Sequence, residues 1–212
     1  MSLFVAVGNG FSQGFLNLGF NSAQLSGYTS GEYVPATSAI PGWLGYIGTN
    51  PQTTVLYNDL TIGEAAIAIL GTNSPSVSPI PGNCYTVVLQ ASLEDNASIA
   101  QTALIPGTAE SIFFTASAPY SSGWQVSVAG QDISVFQTSA LGGNIYVYEG
   151  NISAFAGQTD QLQFTALAGG SSPVNMELDA IQFSSSPVPE PGVMGLCALG
   201  GLLLAWRPLK TS

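Results

Sequence analysis

Positive charge is almost absent from this chain. Among 212 residues there is no histidine, one arginine and one lysine, and the two cations, Arg207 and Lys210, stand close to the C-terminal end. Residues 1–206 therefore set all twelve acidic side chains against no cation, and the formal net charge is −10. Each gap excludes a class of chemistry. A body without Lys, Arg or His has nothing with which to neutralise phosphates, which removes nucleic acid as a partner. It has no imidazole for zinc, copper or non-haem iron, and no histidine or lysine base for a nucleophilic triad. Salt bridges cannot hold the fold, so apolar burial and sheet hydrogen bonds must. Cysteine is scarce as well. Cys84 in the body and Cys197 near the end build neither a disulfide framework nor a thiolate metal site. With 7% charged residues, the acids serve solubility before any other purpose.

What remains is 46% hydrophobic and 10% aromatic, with 25 glycines. That is the composition of an extracellular β protein rather than of a disordered chain. Short runs of alternating or β-branched and aromatic residues, set apart by turn residues, predict strands at 11–20, 42–47, 53–57, 65–70, 85–92, 111–118, 124–128, 133–137, 144–154, 161–167 and 176–183. Within 144–154, Ile145, Val147, Glu149 and Asn151 face one way and Tyr146, Tyr148, Gly150 and Ile152 the other. Ala129-Gly130 reads as a hairpin turn. Only 63–70 and 94–101 show any helical tendency, and the first is better taken as a buried strand between turns. The expected fold is all-β: an antiparallel, jelly-roll-like β-sandwich over residues 1–184.

The C-terminal end has a different organisation. Residues 185–191 form a polar, proline-rich linker ending in Val188, Pro189, Glu190 and Pro191, and the apolar run GVMGLCALGGLLLAW fills residues 192–206. Arg207 and Lys210 follow as a basic stop. As a helix this run spans roughly 22 Å, short of the ~30 Å hydrocarbon core, so it suits a temporary membrane handle better than a permanent anchor. Gly192, Leu196, Leu199, Leu202, Leu203, Leu204 and Trp206 are its expected transmembrane residues. The positive-inside tendency keeps the basic stop cytoplasmic and the N-terminal bulk outside. The prolines hold the preceding stretch extended, as a protease-like site requires. Rigid polar motif, hydrophobic segment and basic end, in that order, resemble a PEP-CTERM sorting tail. The resemblance implies export, tethering at the inner membrane, and recognition and cleavage by the membrane enzyme exosortase. Pro208 and Leu209 split the basic end into two single charges, a departure from the usual cluster. Residues 1–8 have no basic n-region and are not a complete secretory signal, so export implies a signal peptide lost from the start.

A second resemblance covers the body. Phe15-Leu16-Asn17-Leu18-Gly19-Phe20, then Ile40-Pro41-Gly42-Trp43, and finally Leu178-Asp179-Ala180-Ile181-Gln182-Phe183 are similar to the opening and closing strands of galactose-binding-like jelly-roll domains. Phe20 stands where those domains carry an acidic residue. The resemblance implies a structural calcium ion held from the last strand by Asp179, with Glu32 and Asp59 as further ligands; no other cofactor is expected. Paired carboxylates are the one catalytic chemistry the inventory allows. The closest pairs are Glu94-Asp95, read as a solvated turn, and Glu177 with Asp179, two apart on one strand. Trp43, Tyr46, Tyr57, Tyr120, Trp124, Tyr146 and Tyr148 are the aromatics available for a sugar, and Tyr120 and Trp124 are the best-exposed candidates. The sequence thus points to an exported, non-enzymatic envelope or extracellular-matrix protein of a Gram-negative cell, with a module binding extracellular polysaccharide as the alternative.

Overall fold

The protein's structure, a computed structural model, describes residues 14–74, 80, 84–117, 123–169 and 174–188. Fourteen strands follow one another within them: β1 (Tyr33–Pro35), β2 (Leu44–Ile47), β3 (Asn50–Gln52), β4 (Thr54–Tyr57), β5 (Ala66–Gly71), β6 (Tyr85–Gln90), β7 (Ala97–Leu104), β8 (Ser111–Ser117), β9 (Trp124–Val128), β10 (Gln131–Asp132), β11 (Val135–Gly142), β12 (Ile145–Asn151), β13 (Thr159–Ala166) and β14 (Asn175–Ser184). A four-residue helix, α1 (Ala36–Ala39), separates β1 from β2, and a 3-10 turn (Ser153–Phe155) follows β12. Eight strands form one sheet in the order β1-β4-β5-β6-β14-β8-β12-β11, and six form the other in the order β10-β9-β13-β7-β2-β3. Among the described strands only β4 and β5 pair in parallel. The fold is a β-sandwich, as the alternation predicts.

Period-two patterning builds the interior. On β13, Leu162, Phe164 and Ala166 enter the core while Gln161 and Gln163 stay at least partly exposed. On β12, Tyr148 and Gly150 turn inward, in the facing the sequence predicts. Aromatic rings then bridge the sheets: Phe20 meets Trp43 at 5.8 Å, Trp43 meets Phe164 at 6.2 Å, and Phe164 meets Phe114 edge-on at 5.1 Å. Each such pair adds about 0.5–1.5 kcal/mol beyond its burial. β5 is buried along its whole length; on its second face Ala68 and Leu70 pack with Leu56, Val88 and Leu60 in a small cluster. Two hairpins take the left-handed turns their twist demands. Ala129 and Gly130 (φ 52° and 74°) close β9 onto β10, and Gly143 and Asn144 (φ 62° and 63°) close β11 onto β12.

The expectations fail in two places, and one predicted strand is bent. Residues 97–101 belong to strand β7 rather than to a helix; Ala97 and Ile99 fill the core, and pairing with β13 and β2 outweighs alanine's helical preference. Residues 14–20 form no strand beyond an isolated bridge from Gly14 to Leu104. Asn17 and Phe20 turn the chain there with φ of 52° and 53°, and the side-chain amide of Gln101 ties the segment down. Its Oε1 accepts from the Leu16 N–H (2.6 Å), and its Nε2 donates to the Leu16 carbonyl (3.0 Å). Finally, β14 bends between Asp179 and Gln182, where Ala180 takes φ 50° and the Ile181 N–H reaches across to the Leu18 carbonyl (3.0 Å). β14 ends at Ser184, and the expected hydrophobic helix lies outside the described residues.

Candidate functional site

The outer face of the six-stranded sheet presents its side chains in register. Core residues on β7, β9 and β13 alternate with outward ones, and the pairing aligns the outward set in two rows. Tyr46, Ser98, Thr165 and Gln125 lie opposite one another across β2, β7, β13 and β9. Leu44, Ala100, Gln163 and Ser127 form the next row. Three strand spacings of ~4.8 Å give each row a length of ~14 Å. The floor is made of small residues: Ala100, Ser98, Thr165 and Ser127 are all buried beneath their neighbours. Larger groups stand above it, with Leu44 60% exposed and Tyr46, Gln125 and Gln163 half-buried. Gln163 Nε2 donates diagonally to Ser98 Oγ (3.0 Å), which fixes the amide in position. Neither row contains a charge. With the serine and threonine hydroxyls buried beneath them, the accessible groups of this shallow trough are the Gln125 and Gln163 amides and Tyr46, which can hydrogen-bond hydroxyl groups and stack against one ring.

The residues singled out from sequence fall in different places. Tyr120 lies outside the described residues. Trp124 is not a surface platform: it opens β9, half-buried, with its ring 4.9 Å from Tyr148 and 5.8 Å from Phe114, both edge-on. Its loop-like prelude hid the inward parity that Val126 and Val128 share with it. Trp124 Nε1 is sealed from solvent without a hydrogen-bond partner. Of the sorting motif only Val188 is described, half-buried just after the strand; Pro189, Glu190, Pro191, the apolar segment and the two cations lie beyond. Among the described residues no helix is long and apolar enough to cross a membrane.

The three proposed calcium ligands do not converge. Among the described residues no group of three or more acidic or cysteine side chains comes together. Glu32 and Asp59 both sit beside the end of β4; Glu32 Oε2 accepts from the Thr29 N–H (2.9 Å), and Asp59 Oδ1 accepts from the Leu60 N–H (2.8 Å). Asp179 lies on β14, with β5 and β6 between it and β4. It is fully buried; Oδ1 accepts from the Ala180 N–H (2.6 Å), and Oδ2 accepts from Thr86 Oγ1 at 3.5 Å. A cation in this region would have to be built on Asp179 with Thr86 and nearby main-chain oxygens, without Glu32 and Asp59.

The remaining carboxylates separate by environment. Glu94 and Asp95 are exposed, and both N–H groups donate to Ser92 Oγ (3.2 and 2.9 Å), as a solvated turn requires. Glu177 and Asp179 do share the outer face of the eight-stranded sheet, since Met176 and Leu178 occupy the core. Burial holds the Glu177 carboxyl above its ordinary range, partly offset by the Ser117 hydroxyl. A hollow of about 580 Å³ opens over the β14 bulge on this sheet, with Phe113, Thr115, Val147, Gln182 and Phe183 in its walls. Sequence reasoning missed both this hollow and the two-row trough, because each depends on strand order rather than on any motif.

No family model matches the chain, and no curated protein does. Solved structures similar to it include the enzymatically active domain of tailspike protein 4 from bacteriophage CBA120, at 12% identity and TM-score 0.42 over 78% of this chain. Another is a family 11 carbohydrate-binding module from Clostridium thermocellum, in complex with a mixed-linked β-1,3-1,4 tetrasaccharide, at 13% identity and TM-score 0.37 over 76% of this chain. A third is the secreted serine protease VesC from Vibrio cholerae, at 14% identity and TM-score 0.33 over 62%. The chain spans 22% of the tailspike structure's length, 36% of the protease's and 100% of the carbohydrate-binding module's.

Proposed function

We propose that this protein is an exported, non-enzymatic component of the cell surface or extracellular matrix whose sandwich binds a neutral polysaccharide along the outer face of the six-stranded sheet. One observation carries the reading: the rows Tyr46-Ser98-Thr165-Gln125 and Leu44-Ala100-Gln163-Ser127 form an uncharged strip in which the Gln125 and Gln163 amides and Tyr46 stand over buried hydroxyls. Uncharged sugars need this mixture, in which fixed polar groups set orientation and an aromatic edge supplies apolar area. Strand-borne groups hold their positions better than loop-borne ones. Affinity electrophoresis of the full chain through gels containing neutral polysaccharides tests the reading. Retardation by at least one polymer is expected, with Tyr46→Ala and Gln163→Ala each weakening it about tenfold. Migration unaffected by every polymer, or retardation that both variants retain, would refute it.

The sorting function belongs to the same proposal. Its support is the order of Val188 to Pro191, the apolar run at 192–206 and the basic Arg207 and Lys210, which suits a short-lived membrane handle processed by exosortase. Intact-mass analysis of the protein from its native cells tests it. Loss of the residues beyond the Pro-Glu-Pro motif is expected; a surface form that keeps Lys210 would overturn processing.

A further inference from the structure

On the sheet opposite the trough, Glu149 is a carboxylate with no counter-ion among the described residues. It sits mid-strand on β12, on the outer face, and is only 3% exposed. No hydrogen bond or ion pair reaches it from the described residues, and those residues contain no Lys, Arg or His to supply one. The sealed, unpartnered polar atoms of the described residues are Ser74 Oγ, Trp124 Nε1, Asp160 Oδ2 and Asn175 Oδ1. Neither Glu149 oxygen is among them, so both keep a narrow contact with solvent. A charge this enclosed is costly unless a partner of opposite sign arrives.

Its cross-strand neighbours are both phenylalanines: Phe113 on β8 to one side and Phe136 on β11 to the other. Directly paired side chains start with Cβ atoms about 5 Å apart, so the two rings flank the carboxylate. Phe136 is 45% exposed, so its ring is open to a ligand. Phe113 also walls the 580 Å³ hollow, as does Val147, two residues before Glu149 on the same face. Glu149 and Phe136 do not line the hollow; Phe113 stands between it and the carboxylate, so a ligand seated on Glu149 would reach the hollow across that ring. A carboxylate with an aromatic ring on each side can recognise a substituted ammonium group, by ion pairing and cation–π attraction together.

We propose that Glu149, Phe113 and Phe136 form a binding site for an organic ammonium group, separate from the polysaccharide trough and independent of it. A quaternary amine and an amino sugar both carry that group. Titration of the full chain with choline chloride, with glucosamine at a pH where it is protonated, and with glucose, followed by NMR shifts and calorimetry, distinguishes them. Saturable binding of choline or of glucosamine is expected, with whichever binds more tightly naming the source. Glu149→Gln should weaken it roughly tenfold while leaving the melting temperature equal or higher, and Phe136→Ala should weaken it several-fold. Increasing salt should weaken it as well. No saturation with either cation, equal binding of glucose, or undiminished binding by Glu149→Gln would overturn the proposal.

Discussion

Replacing Gln101 by leucine tests how the first described segment is held to the sandwich. Gln101 points inward from β7 and is 6% exposed. Its amide takes the place of a neighbouring strand, accepting from the Leu16 N–H at 2.6 Å and donating to the Leu16 carbonyl at 3.0 Å. Leucine keeps most of the volume and removes both bonds. Each is worth about 0.5–1.5 kcal/mol net, and Leu16 is exposed enough for water to satisfy its freed backbone groups in part. The expected loss is thus about 2 kcal/mol, or roughly 4–8 °C in melting temperature for a domain of this size. Urea denaturation gives the first number, and amide hydrogen exchange locates it. The Leu16 amide should lose protection well beyond the global change, because the segment opens locally once untied. A variant within 0.5 kcal/mol of the parent on the scale of ordinary surface changes, with Leu16 protection intact, would refute the claim that this amide anchors the segment.

Further outcomes follow from individual contacts. Glu177 is held above its ordinary value of 4.5 by burial, so the folded form keeps its proton more tightly than the unfolded one. Its ionised form therefore costs stability above the raised folded value and nothing below 4.5. Stability of the parent should fall as pH climbs through that window, and Glu177→Gln should flatten the slope; parallel urea profiles would refute this. Ala129 holds φ 52° at the first position of its hairpin turn, so Ala129→Asn should raise stability by about 0.5–1 kcal/mol, read from the melting curve. A Cβ at Gly150 would lie 2.9 Å from both Ile133 Cγ2 and Val135 Cγ1 and 3.3 Å from the Ser134 carbonyl. Gly150→Ala should accordingly cost about 1–3 kcal/mol by pressing β11 off its neighbour. Trp124→Phe removes a sealed donor that has no acceptor, so it should cost less than the 3–5 kcal/mol typical of deleting a buried aromatic, and polysaccharide binding should be unchanged.

The central strands were legible because both of their local signals agree. β12 alternates cleanly, β9 closes on a two-residue turn, and β13 sets Leu162 and Phe164 against Gln161 and Gln163. β7 was not legible: ASIAQTAL is built of small and alanine-rich residues whose local preference is helical, and only its two neighbours make it a strand. The edges β1 and β3 have three residues each, too few to show a period. The Phe15–Phe20 stretch looks like a strand, yet Asn17 and Phe20 both take left-handed backbone that no local pattern announces. The candidate sites depend still more on what strand order brings together. Tyr46 stood among the available aromatics, but Ser98, Gln163 and Gln125 join it only through the β2-β7-β13-β9 pairing. Glu149's outward facing was readable from alternation; its two flanking rings were not, since Phe113 and Phe136 lie on separate strands.

β11 ends the larger sheet with eight residues, nearly all exposed, and its outer rim has no charged side chain to repel another strand. Its pairing with β12 slips twice, between Gln137 and Ser139 and again between Ala140 and Gly142. Each slip throws the rim's free amides and carbonyls out of regular spacing, so a second chain laid alongside finds no continuous ladder to extend. In a protein nearly devoid of lysine, irregular backbone thus takes over the duty that edge charges perform elsewhere. At high concentration, this irregular rim keeps neighbouring copies from zipping together.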